Sequence, residues 1–349
     1  MKLTQTNLLN HRTRVPIHLT QLGFGGAPLG NLYRKIEDDV AQETLNAAWD
    51  AGIRYFDTAP QYGLGRSETR FANALTRFDS SAITLSTKVG RILEDCAAED
   101  VTPEAFVDVP QKRIVFDYSY DGIMRSFDDS IARLGTDQID ILFLHDIDAG
   151  THGADGEKDK LRELFVGGGY RALDELRTAG RISAIGAGVN TWQICEHLLG
   201  EADFDTFLLA GRYTLLEQDP LESFLPLCIK RDVGIILGGP YNSGILATGA
   251  VEGARYDYAP APEAILQRVR DLSAVCAAHD TPLIAAALQF PLGHSAVKSV
   301  IPGASSPDEV HQNIEIFERP IPPALWSDLK SQKLIRQDAP VPEDLNDAS

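Results

Sequence analysis

The chain has 349 residues, and its 32 lysines and arginines against 50 aspartates and glutamates give a formal net charge of −18. Such an acidic balance argues against nucleic acid or an anionic membrane surface as a partner. The hydrophobic fraction of 44% is ordinary for a globular chain with a sizeable core. The length could hold two average domains, but α/β barrels of this size often form one.

Cysteine usage and the first residues point to the cytoplasm. Cys96, Cys195, Cys228 and Cys276 lie far apart and form no zinc-binding or redox pattern. We therefore expect buried free thiols in a reducing compartment and no metal site. Residues 1–20 carry polar and charged side chains throughout, unlike a signal peptide. No apolar run is long enough to span a bilayer, so we expect no membrane partner.

Strand-like and helix-like segments alternate along the chain. The predicted strands are residues 22–26, 54–57, 83–88, 139–145, 182–187, 204–211, 233–237 and 296–301, and the predicted helices include residues 38–52, 67–76, 121–134, 170–178 and a long helix from Glu263. Eight strand candidates without a composition break predict one α/β domain, a (β/α)8 TIM barrel, over residues 1–337. The acidic, proline-containing tail 338–349 is expected to be frayed.

Three segments between these elements lack a clear period. Residues 91–119 follow the third strand, so they leave from the C-terminal face of the barrel, and they predict either a substrate-side lid or a plain surface excursion. Residues 149–159 have the composition of a polar loop. Residues 167–172 fit the dinucleotide pattern G-x-G-x-x-A, but no strand precedes them and no acid follows about 20 residues later. We interpret these glycines as a flexible lead into a helix.

Three consecutive strand ends carry groups suited to proton transfer. Asp57 ends the second strand with Tyr62 in the loop beyond it, Lys88 closes the third strand, and His145 closes the fourth. The C-terminal strand ends of a parallel barrel converge on one face, which carries the chemistry. Each residue alone also has a structural interpretation, as a turn-capping, packed or solvated side chain. Together they indicate an acid–base site.

These residues stand in motifs that resemble a known family. The stretches Asp57-Thr58-Ala59-x-x-Tyr62-Gly63, Ser86-Thr87-Lys88 and Leu144-His145 resemble the Asp-Tyr-Lys-His tetrad of the aldo-keto reductase superfamily. The resemblance covers nearly the whole chain, from Gly23 to Ser305. Residues 52–65, 120–126 and 144–146 look most like the branch of D-threo-aldose 1-dehydrogenases, which includes L-fucose dehydrogenases, with pyridoxal 4-dehydrogenase close by.

The resemblance implies hydride transfer between a substrate carbon and C4 of a nicotinamide. Tyr62 would be the general base in oxidation and the general acid in reduction. Because a free phenol has a pKa of about 10, it needs a neighbouring cation to act as a base near neutral pH. Lys88 would supply that cation and Asp57 would fix its position. His145 would hydrogen-bond the substrate oxygen.

The resemblance also implies cofactor contacts after the later strands. Asn190 lies near the place where the family holds the nicotinamide carboxamide. The loop after the seventh strand would contribute Pro240, Tyr241, Ser243 and Gly244, and the segment after the eighth strand would hold the adenosine end through Gly303, Ser305, Ser306, Glu309 and Asn313.

The segment after the eighth strand favours NAD over NADP. NADP-using relatives carry a cation after the Ile-Pro pair and an Arg six residues later, where this chain has Gly303 and Glu309. Those cations clamp the 2′-phosphate through charge-assisted hydrogen bonds. We therefore expect that no cation remains here and that Asp308 and Glu309 repel a phosphate but accept hydrogen bonds from a free 2′-hydroxyl. Both acids also suit a helix N-terminus.

The expected function is NAD-dependent oxidation of an aldose of the L-fucose or D-threo type at C1, which gives the lactone. Pyridoxal oxidation and general aldehyde or ketone reduction are alternatives. A catalytically inactive binding subunit is a further alternative, which the complete tetrad argues against. The expected partner is a small sugar or aldehyde.

Overall fold

The computed structural model describes residues 1–342. Its strands are β1 (Thr6–Leu8), β2 (His18–Thr20), β3 (Phe24–Gly25), β4 (Tyr55–Asp57), β5 (Thr84–Val89), β6 (Arg91–Asp95), β7 (Lys112–Phe116), β8 (Ile141–His145), β9 (Ala184–Val189), β10 (Thr206–Ala210), β11 (Gly234–Gly238), β12 (Arg255–Tyr256), β13 (Ala259–Pro260) and β14 (Val297–Ile301). Its helices are α1 (Asp38–Asp50), α2 (Arg66–Leu75), α3 (Tyr120–Leu134), α4 (Ala149–Phe165), α5 (Gly169–Thr178), α6 (Trp192–Glu201), α7 (Phe224–Arg231), α8 (Ile245–Thr248), α9 (Glu263–Ala278), α10 (Leu283–Gln289), α11 (Pro307–Glu318) and α12 (Pro323–Ser331).

Eight parallel strands form the centre of the molecule. Their order is β3-β4-β5-β8-β9-β10-β11-β14, so each strand pairs with the next barrel strand along the chain. Isolated parallel bridges from Leu22 to Val300 and from Gly25 to Gly303 join the first strand to the last. The predicted (β/α)8 TIM barrel in a single domain is therefore confirmed.

The helices form because their apolar side chains repeat on one face. In α3, Ile123 and Phe127 are buried against the barrel, the Ser119 side chain accepts a hydrogen bond from the Gly122 N–H at the start, and Gly135 ends the helix with a φ of 64°. This is the left-handed end that glycine favours. The local signals of α3 thus agree with its tertiary packing.

An N-terminal hairpin closes one end of the barrel. Strands β1 and β2 pair antiparallel, and Leu9, Ile17 and Leu19 are buried against side chains of the barrel interior. That interior layer is made by Tyr55, Ile141, Phe143, Ala184, Leu208, Ile236 and Ile301. Because this end is filled with apolar side chains, the opposite end, where the strands finish, is the one open to ligands.

Two segments differ from the expectations. Residues 91–119 are not irregular throughout, since β6 and β7 pair antiparallel from Arg91–Phe116 to Asp95–Lys112. The alternation of apolar and polar residues that marks a strand is weak here, because this hairpin is only partly buried and carries many charged residues. The expected loop at 149–159 is wrong, since it belongs to α4, which Asp148 caps and which departs from helical geometry at Gly153, with a φ of 70°. The glycines in this helix concealed it from composition alone.

The tail was expected to fray from residue 338. Ala339 and Val341 are buried, and Asp338 accepts a hydrogen bond from Arg336 Nε. The chain therefore still packs on the barrel at 339–341, against that expectation. Residues 343–349 lie outside the described residues, and the domain boundary at 337 stays a prediction. Within residues 1–342, no helix combines the length and hydropathy needed to cross a bilayer.

Candidate active site

The barrel brings the predicted tetrad, Asp57, Tyr62, Lys88 and His145, to the open end. Strand β4 ends at Asp57, Lys88 is the penultimate residue of β5, and β8 ends at His145. These strands are neighbours: Asp57 pairs with Ser86, and Lys88 pairs with Phe143. The convergence predicted from strand ends is thus present, while the catalytic role of each residue stays a prediction.

The loop that carries Tyr62 packs tightly against the turn after β3. A Cβ added to Gly30 would lie 2.4 Å from the Tyr62 carbonyl carbon, and one added to Gly63 would lie 2.2 Å from the Gly30 carbonyl oxygen. Such a close approach of the two backbones requires glycine at both positions. They hold Tyr62 beside the strand ends.

Lys88 and Asp57 form a buried ion pair. Lys88 Nζ lies 2.6 Å from Asp57 Oδ2 and donates a second hydrogen bond to the Thr58 carbonyl oxygen at 2.9 Å. The Ser86 hydroxyl donates to Asp57 Oδ1 at 2.7 Å. Burial opposes the charge on Lys88, but Asp57 and Tyr62 outweigh it and raise its pKa. Lys88 is therefore a buried cation that Asp57 and the Thr58 carbonyl oxygen hold in place.

Tyr62 lies beside this cation. The Lys88 ammonium is 4.6 Å from the centre of the Tyr62 ring, and the ring meets His145 edge-on with centroids 5.9 Å apart. Burial raises the pKa of Tyr62 above its usual value, and Lys88 counteracts part of this rise. The expected direction of the Lys88 effect is present, but burial outweighs it.

His145 is held neutral at the floor of the site. Burial lowers its pKa well below the usual value, and the cations Arg91 and Lys88 lower it further. Its Nδ1 is buried and has no hydrogen-bond partner among residues 1–342, while Nε2 lies 3.5 Å from Asp146 Oδ2. A neutral imidazole keeps one N–H donor, and His145 lines the cavity, so its ring can hydrogen-bond a ligand oxygen there.

A cavity of about 430 Å³ opens above these residues. Tyr62, Lys88 and His145 line it, and Asn190 is the one predicted cofactor residue that does so among the described residues. The other lining residues are Ala27, Leu32, Tyr33, Gln61, Arg91, Glu104, Ala105, Phe106, Asp146, Thr151, Gly188, Val189, Leu208, Ala210, Arg255 and Tyr258. Its size suits a small ligand.

One wall of the cavity carries an ion-paired cluster, Arg91 with Asp146 and Glu104, that was not predicted from the sequence. Arg91 Nη2 lies 2.5 Å from Asp146 Oδ2, and Arg91 Nη1 lies 2.9 Å from Glu104 Oε1. Burial raises the pKa of Asp146 to about 6, although Arg91 opposes the rise. The motif Leu144-His145-Asp146 held a signal for Asp146. Glu104 and Phe106 place the 91–119 segment on the substrate side of the barrel, so it is not a plain surface excursion.

A second small hairpin covers the opposite side. Tyr258, between β12 and β13, donates a hydrogen bond from its hydroxyl to Asn190 Oδ1 at 3.3 Å, and its backbone N–H donates to Ser243 Oγ at 2.9 Å. Asn190 Nδ2 also lies 3.4 Å from Asp146 Oδ1. Asn190 and Ser243 therefore share one neighbour, Tyr258, at the cavity rim.

The remaining predicted cofactor residues lie outside the cavity lining, mostly after β14. The Tyr241 hydroxyl donates to Asn313 Oδ1 at 3.0 Å, and Asn313 Nδ2 lies 3.5 Å from the Gly303 carbonyl oxygen. The loop that carries Tyr241 thus contacts the segment after strand β14. Pro240 is buried two residues after the end of β11, and Gly244 precedes α8 with a φ of 94°.

A second cluster of hydrogen-bonded polar residues lies at the start of α11. Ser306 caps the helix by accepting a hydrogen bond from the Glu309 N–H at 3.2 Å. Glu309 Oε2 accepts from the Ser305 N–H at 2.7 Å and from the Ser305 hydroxyl at 2.8 Å. Free backbone N–H groups at a helix start favour an anionic ligand.

The expectation that no cation remains here is wrong. Arg34 Nη2 lies 2.9 Å from Glu309 Oε1 and also donates to Ser305 Oγ. Arg34 belongs to a loop 271 residues earlier than Ser305. A motif read along one segment could not reveal it, because the barrel closure alone brings the two loops together. We call Arg34, Ser305 and Glu309 the adenosine-end cluster.

The residues present fit a nicotinamide nucleotide. His145 and Asn190 line the cavity, and the adenosine-end cluster offers hydroxyl, carboxylate and guanidinium groups at the helix start. Such groups suit an amide at one end and ribose and phosphate oxygens at the other. Within residues 1–342, no group of three or more His, Cys, Asp or Glu side chains could hold a metal ion.

Comparisons with known proteins agree with this geometry. The chain is 46% identical over 331 residues to a pyridoxal 4-dehydrogenase from Microbacterium luteolum, covering 92% of this chain and 96% of that protein. It is 39% identical over 319 residues to a D-threo-aldose 1-dehydrogenase from a Pseudomonas species, covering 90% and 94%. Among solved structures, aldo-keto reductase AKR11C1 from Bacillus halodurans (holo form) is 26% identical, with a TM-score of 0.73 and coverages of 95% and 97%.

The family model described as "Aldo/keto reductase family" matches residues 21–333. The match spans the whole barrel, from the residues before β3 to the end of α12, and includes the tetrad. The chain therefore belongs to the aldo/keto reductase family, whose members are oxidoreductases that use nicotinamide cofactors.

Proposed function

We propose that this protein oxidises the cyclic hemiacetal of an aldose at C1 to the lactone, with NAD as the hydride acceptor and L-fucose or another D-threo-type sugar as substrate. The observation that carries the proposal is the buried Asp57–Lys88 pair beside Tyr62 and a neutral His145 in one cavity. The 39% identity to a D-threo-aldose 1-dehydrogenase supports the substrate class.

The proposed reaction moves one proton and one hydride. A bound oxidised nicotinamide would supply the hydride acceptor at C4. Tyr62, as the phenolate that Lys88 favours, takes the proton of the anomeric hydroxyl while the C1 hydrogen leaves with its electron pair. The C1–O bond becomes the lactone carbonyl. His145 hydrogen-bonds the same oxygen and orients it.

The proposed role of the remaining tetrad residue, Asp57, is to support Lys88. Asp57 accepts a hydrogen bond from Lys88 Nζ at 2.6 Å, so the ammonium cannot swing away from Tyr62. Asn190 would hold the carboxamide at the rim of the cavity, while the polar groups after β14 would hold the adenosine end. The charge of Glu309 supports NAD as the preferred cofactor because it disfavours a 2′-phosphate.

Pyridoxal is the second candidate substrate. It carries a hydroxymethyl group next to its aldehyde and closes to a cyclic hemiacetal, so its oxidation to a lactone breaks and forms the same bonds. The 46% identity to a pyridoxal 4-dehydrogenase favours it, as do the aromatic side chains of Tyr33, Phe106 and Tyr258 around the cavity. Aromatic side chains pack well against a planar ring.

The test is a substrate panel with the purified protein. L-fucose, D-arabinose, L-galactose and pyridoxal are each incubated with NAD and, separately, with NADP, while reduced cofactor is followed by absorbance and the product is analysed for lactone. We expect lactone formation with NAD. Reduction of open-chain aldehydes alone would refute the hemiacetal reaction, and absence of any turnover would favour the inactive binding subunit.

We also propose that the reaction takes place in the cytoplasm, with a small sugar or aldehyde as substrate and with neither nucleic acid nor a membrane as a partner. The free cysteines support a reducing compartment, since Cys195, Cys228 and Cys276 are all buried as thiols. The acidic composition supports the absence of a nucleic-acid partner. Localisation of a tagged full-length chain tests the compartment, and an extracytoplasmic signal would contradict it.

A further inference from the structure

Arg34 lies where the barrel closes on itself. It follows the short turn Ala27–Gly30 after β3, while Ser305 and Glu309 follow β14. The bridge between Gly25 and Gly303 makes these two strands neighbours. The loop of Arg34 is anchored on both sides, because the Tyr33 N–H donates to the Ala105 carbonyl oxygen at 2.9 Å and the Ile36 N–H donates to Asn31 Oδ1 at 3.0 Å.

Glu309 is held rigidly by this cluster. One carboxylate oxygen, Oε2, accepts two hydrogen bonds from Ser305, and the other, Oε1, receives Arg34. The Ser305 hydroxyl donates to Glu309 and accepts from Arg34, so all three side chains depend on one another. The position of Glu309 is therefore set by contacts on both oxygens.

Arg34 uses only part of its donor capacity. Its Nη2 makes both hydrogen bonds, and no hydrogen bond from Nε or Nη1 is formed to any of residues 1–342. The side chain is 63% exposed. A guanidinium has five donors in a planar fork that matches phosphate oxygens. Most of that fork can thus face a ligand.

We propose that Arg34 is a phosphate-binding cation that Glu309 holds and neutralises, and that release of Arg34 would let the site accept a 2′-phosphate. This rests on the proposed NAD-dependent function and deepens it, since it names the residue pair that sets the preference. The charges of Arg34, Asp308 and Glu309 sum to −1, and a phosphate monoester adds about −1.5 to −2 at pH 7. Glu309 therefore acts in two ways: it repels the phosphate, and it occupies Arg34, the cation of the adenosine-end cluster.

The test separates these two effects by equilibrium binding. Dissociation constants of NAD⁺ and NADP⁺ are measured by calorimetry without substrate for wild type, Glu309→Gln, Arg34→Met and the double variant. In Glu309→Gln the amide oxygen can still accept from Ser305, so the helix start is kept. We expect NADP⁺ binding to tighten by about tenfold to a hundredfold relative to NAD⁺, the range of a charge-assisted hydrogen bond. Arg34→Met in the same background should abolish that gain.

Asp308→Asn is the matched control. It removes one negative charge at the adjacent residue, but Asp308 forms no ion pair with any described residue and so holds no cation. Because exposed charges are screened by salt, we expect only about a twofold change in the ratio at 0.15 M salt. Thermal unfolding of each variant confirms that it is folded.

The possible outcomes separate a failure of this inference from a failure of the proposed NAD-dependent function. If wild type binds neither nucleotide, or prefers NADP⁺, the proposed NAD-dependent function fails and takes the inference with it. If wild type binds NAD⁺ but the Glu309→Gln gain survives Arg34→Met, or Asp308→Asn gives an equal gain, only the inference fails. A gain that appears with Glu309→Gln and disappears with Arg34→Met establishes Arg34 as the phosphate ligand.

Discussion

The two ends of the barrel use the same residue type in different ways. At the C-terminal end, the Asp57 carboxylate is paired with Lys88 and lies next to the proton-transfer candidate Tyr62. At the N-terminal end, Asp140 precedes β8 and accepts a hydrogen bond from the Leu85 backbone N–H at 2.8 Å, without an ion pair to any of residues 1–342. Asp205, just before β10, also accepts from a strand N–H, that of Ile185, but it pairs with Arg177 at 2.7 Å as well.

This difference predicts which property a mutation should reduce: catalysis at the C-terminal end and folding stability at the N-terminal end. A carboxylate that holds a cation beside a reacting group affects chemistry, whereas one that satisfies a strand N–H affects only folding stability. In TIM barrels the C-terminal face carries the active site and the N-terminal face carries stability. Substitutions at the two ends test this division, from the largest expected effect to the smallest.

Tyr62→Phe should have the largest effect. It removes the hydroxyl that takes the proton while keeping the ring that packs beside Lys88 and His145. We expect kcat to fall by about 10²–10⁴, the usual contribution of a general acid or base. Nucleotide affinity and thermal stability should change little. Steady-state kinetics and calorimetry measure both.

Tyr213→Phe provides the control for this substitution. The Tyr213 hydroxyl is buried without a hydrogen-bond partner in residues 1–342, and its ring packs against Phe290 and His294 away from the cavity. The same chemical change there should leave kcat unaltered. Near-normal turnover in Tyr62→Phe would remove Tyr62 from the mechanism.

Lys88→Met should change the pH dependence of oxidation. Burial raises the pKa of Tyr62 and Lys88 lowers it, so loss of the ammonium leaves the rise uncompensated. The pH at which oxidation begins should therefore move upward, by about 1–3 pH units if Lys88 acts as a close ion does. The pH profile of kcat/KM is the measurement.

A second variant guards against an unfolding artefact. Lys88→Met leaves Asp57 buried without its cation, which costs about 3–5 kcal/mol in comparable cases. The double variant Asp57→Asn/Lys88→Met removes that unpaired charge and should recover stability without recovering turnover. A single variant with a wild-type pH profile would contradict Lys88 as the tuning cation.

At the other end, Asp140→Asn should stabilise the protein near neutral pH. Burial raises the pKa of Asp140 to about 6 from 3.8. Protonation of this group therefore favours folding below pH 3.8, and the benefit is lost as pH rises through 6. Asparagine keeps an oxygen for the Leu85 N–H and carries no charge. We expect the variant to gain about 1–3 kcal/mol at pH 7 and almost nothing at pH 4.

Urea unfolding of wild type and variant at pH 4, 5.5 and 7 measures this gain. Asp137→Asn is the matched control, because Asp137 is exposed and its side chain has no hydrogen bond to the described residues. It should leave the free energy of unfolding close to the wild-type value. A loss of stability in Asp140→Asn at pH 7 would mean that its charge, rather than its oxygen, supports the strand.

The sequence predicted the tetrad because strand ends follow a local rule. Asp57, Lys88 and His145 each end a short apolar run, and parallel strands place such ends on one face. Tyr62 followed from its five-residue distance to Asp57. Neither the barrel closure nor a long-range contact had to be known, so the fold class and these four positions could be predicted together.

The rest of the site depends on contacts between loops. Arg91 reaches Asp146 across 55 residues, and Arg34 reaches Ser305 across 271. No period or spacing within one segment encodes such pairs, since they exist only after the barrel has closed. Tyr258 was missed for the same reason, because its hairpin is exposed and has no apolar alternation. Loops that carry function are the least predictable from local pattern.

Ser306→Ala should have the smallest effect and tests whether the division between the ends is strict. Ser306 caps α11, which follows the last strand at the C-terminal end of the barrel. Ser119 caps α3 in the same way. Loss of either cap should cost about 1 kcal/mol of stability, the typical value for an N-cap serine. Because the Ser306 cap also fixes the Glu309 N–H, only Ser306→Ala should weaken NAD⁺ binding, by a few-fold. Equal NAD⁺ affinity in both variants would mean that α11 contributes to folding alone, and that the cofactor-binding region ends before Ser306.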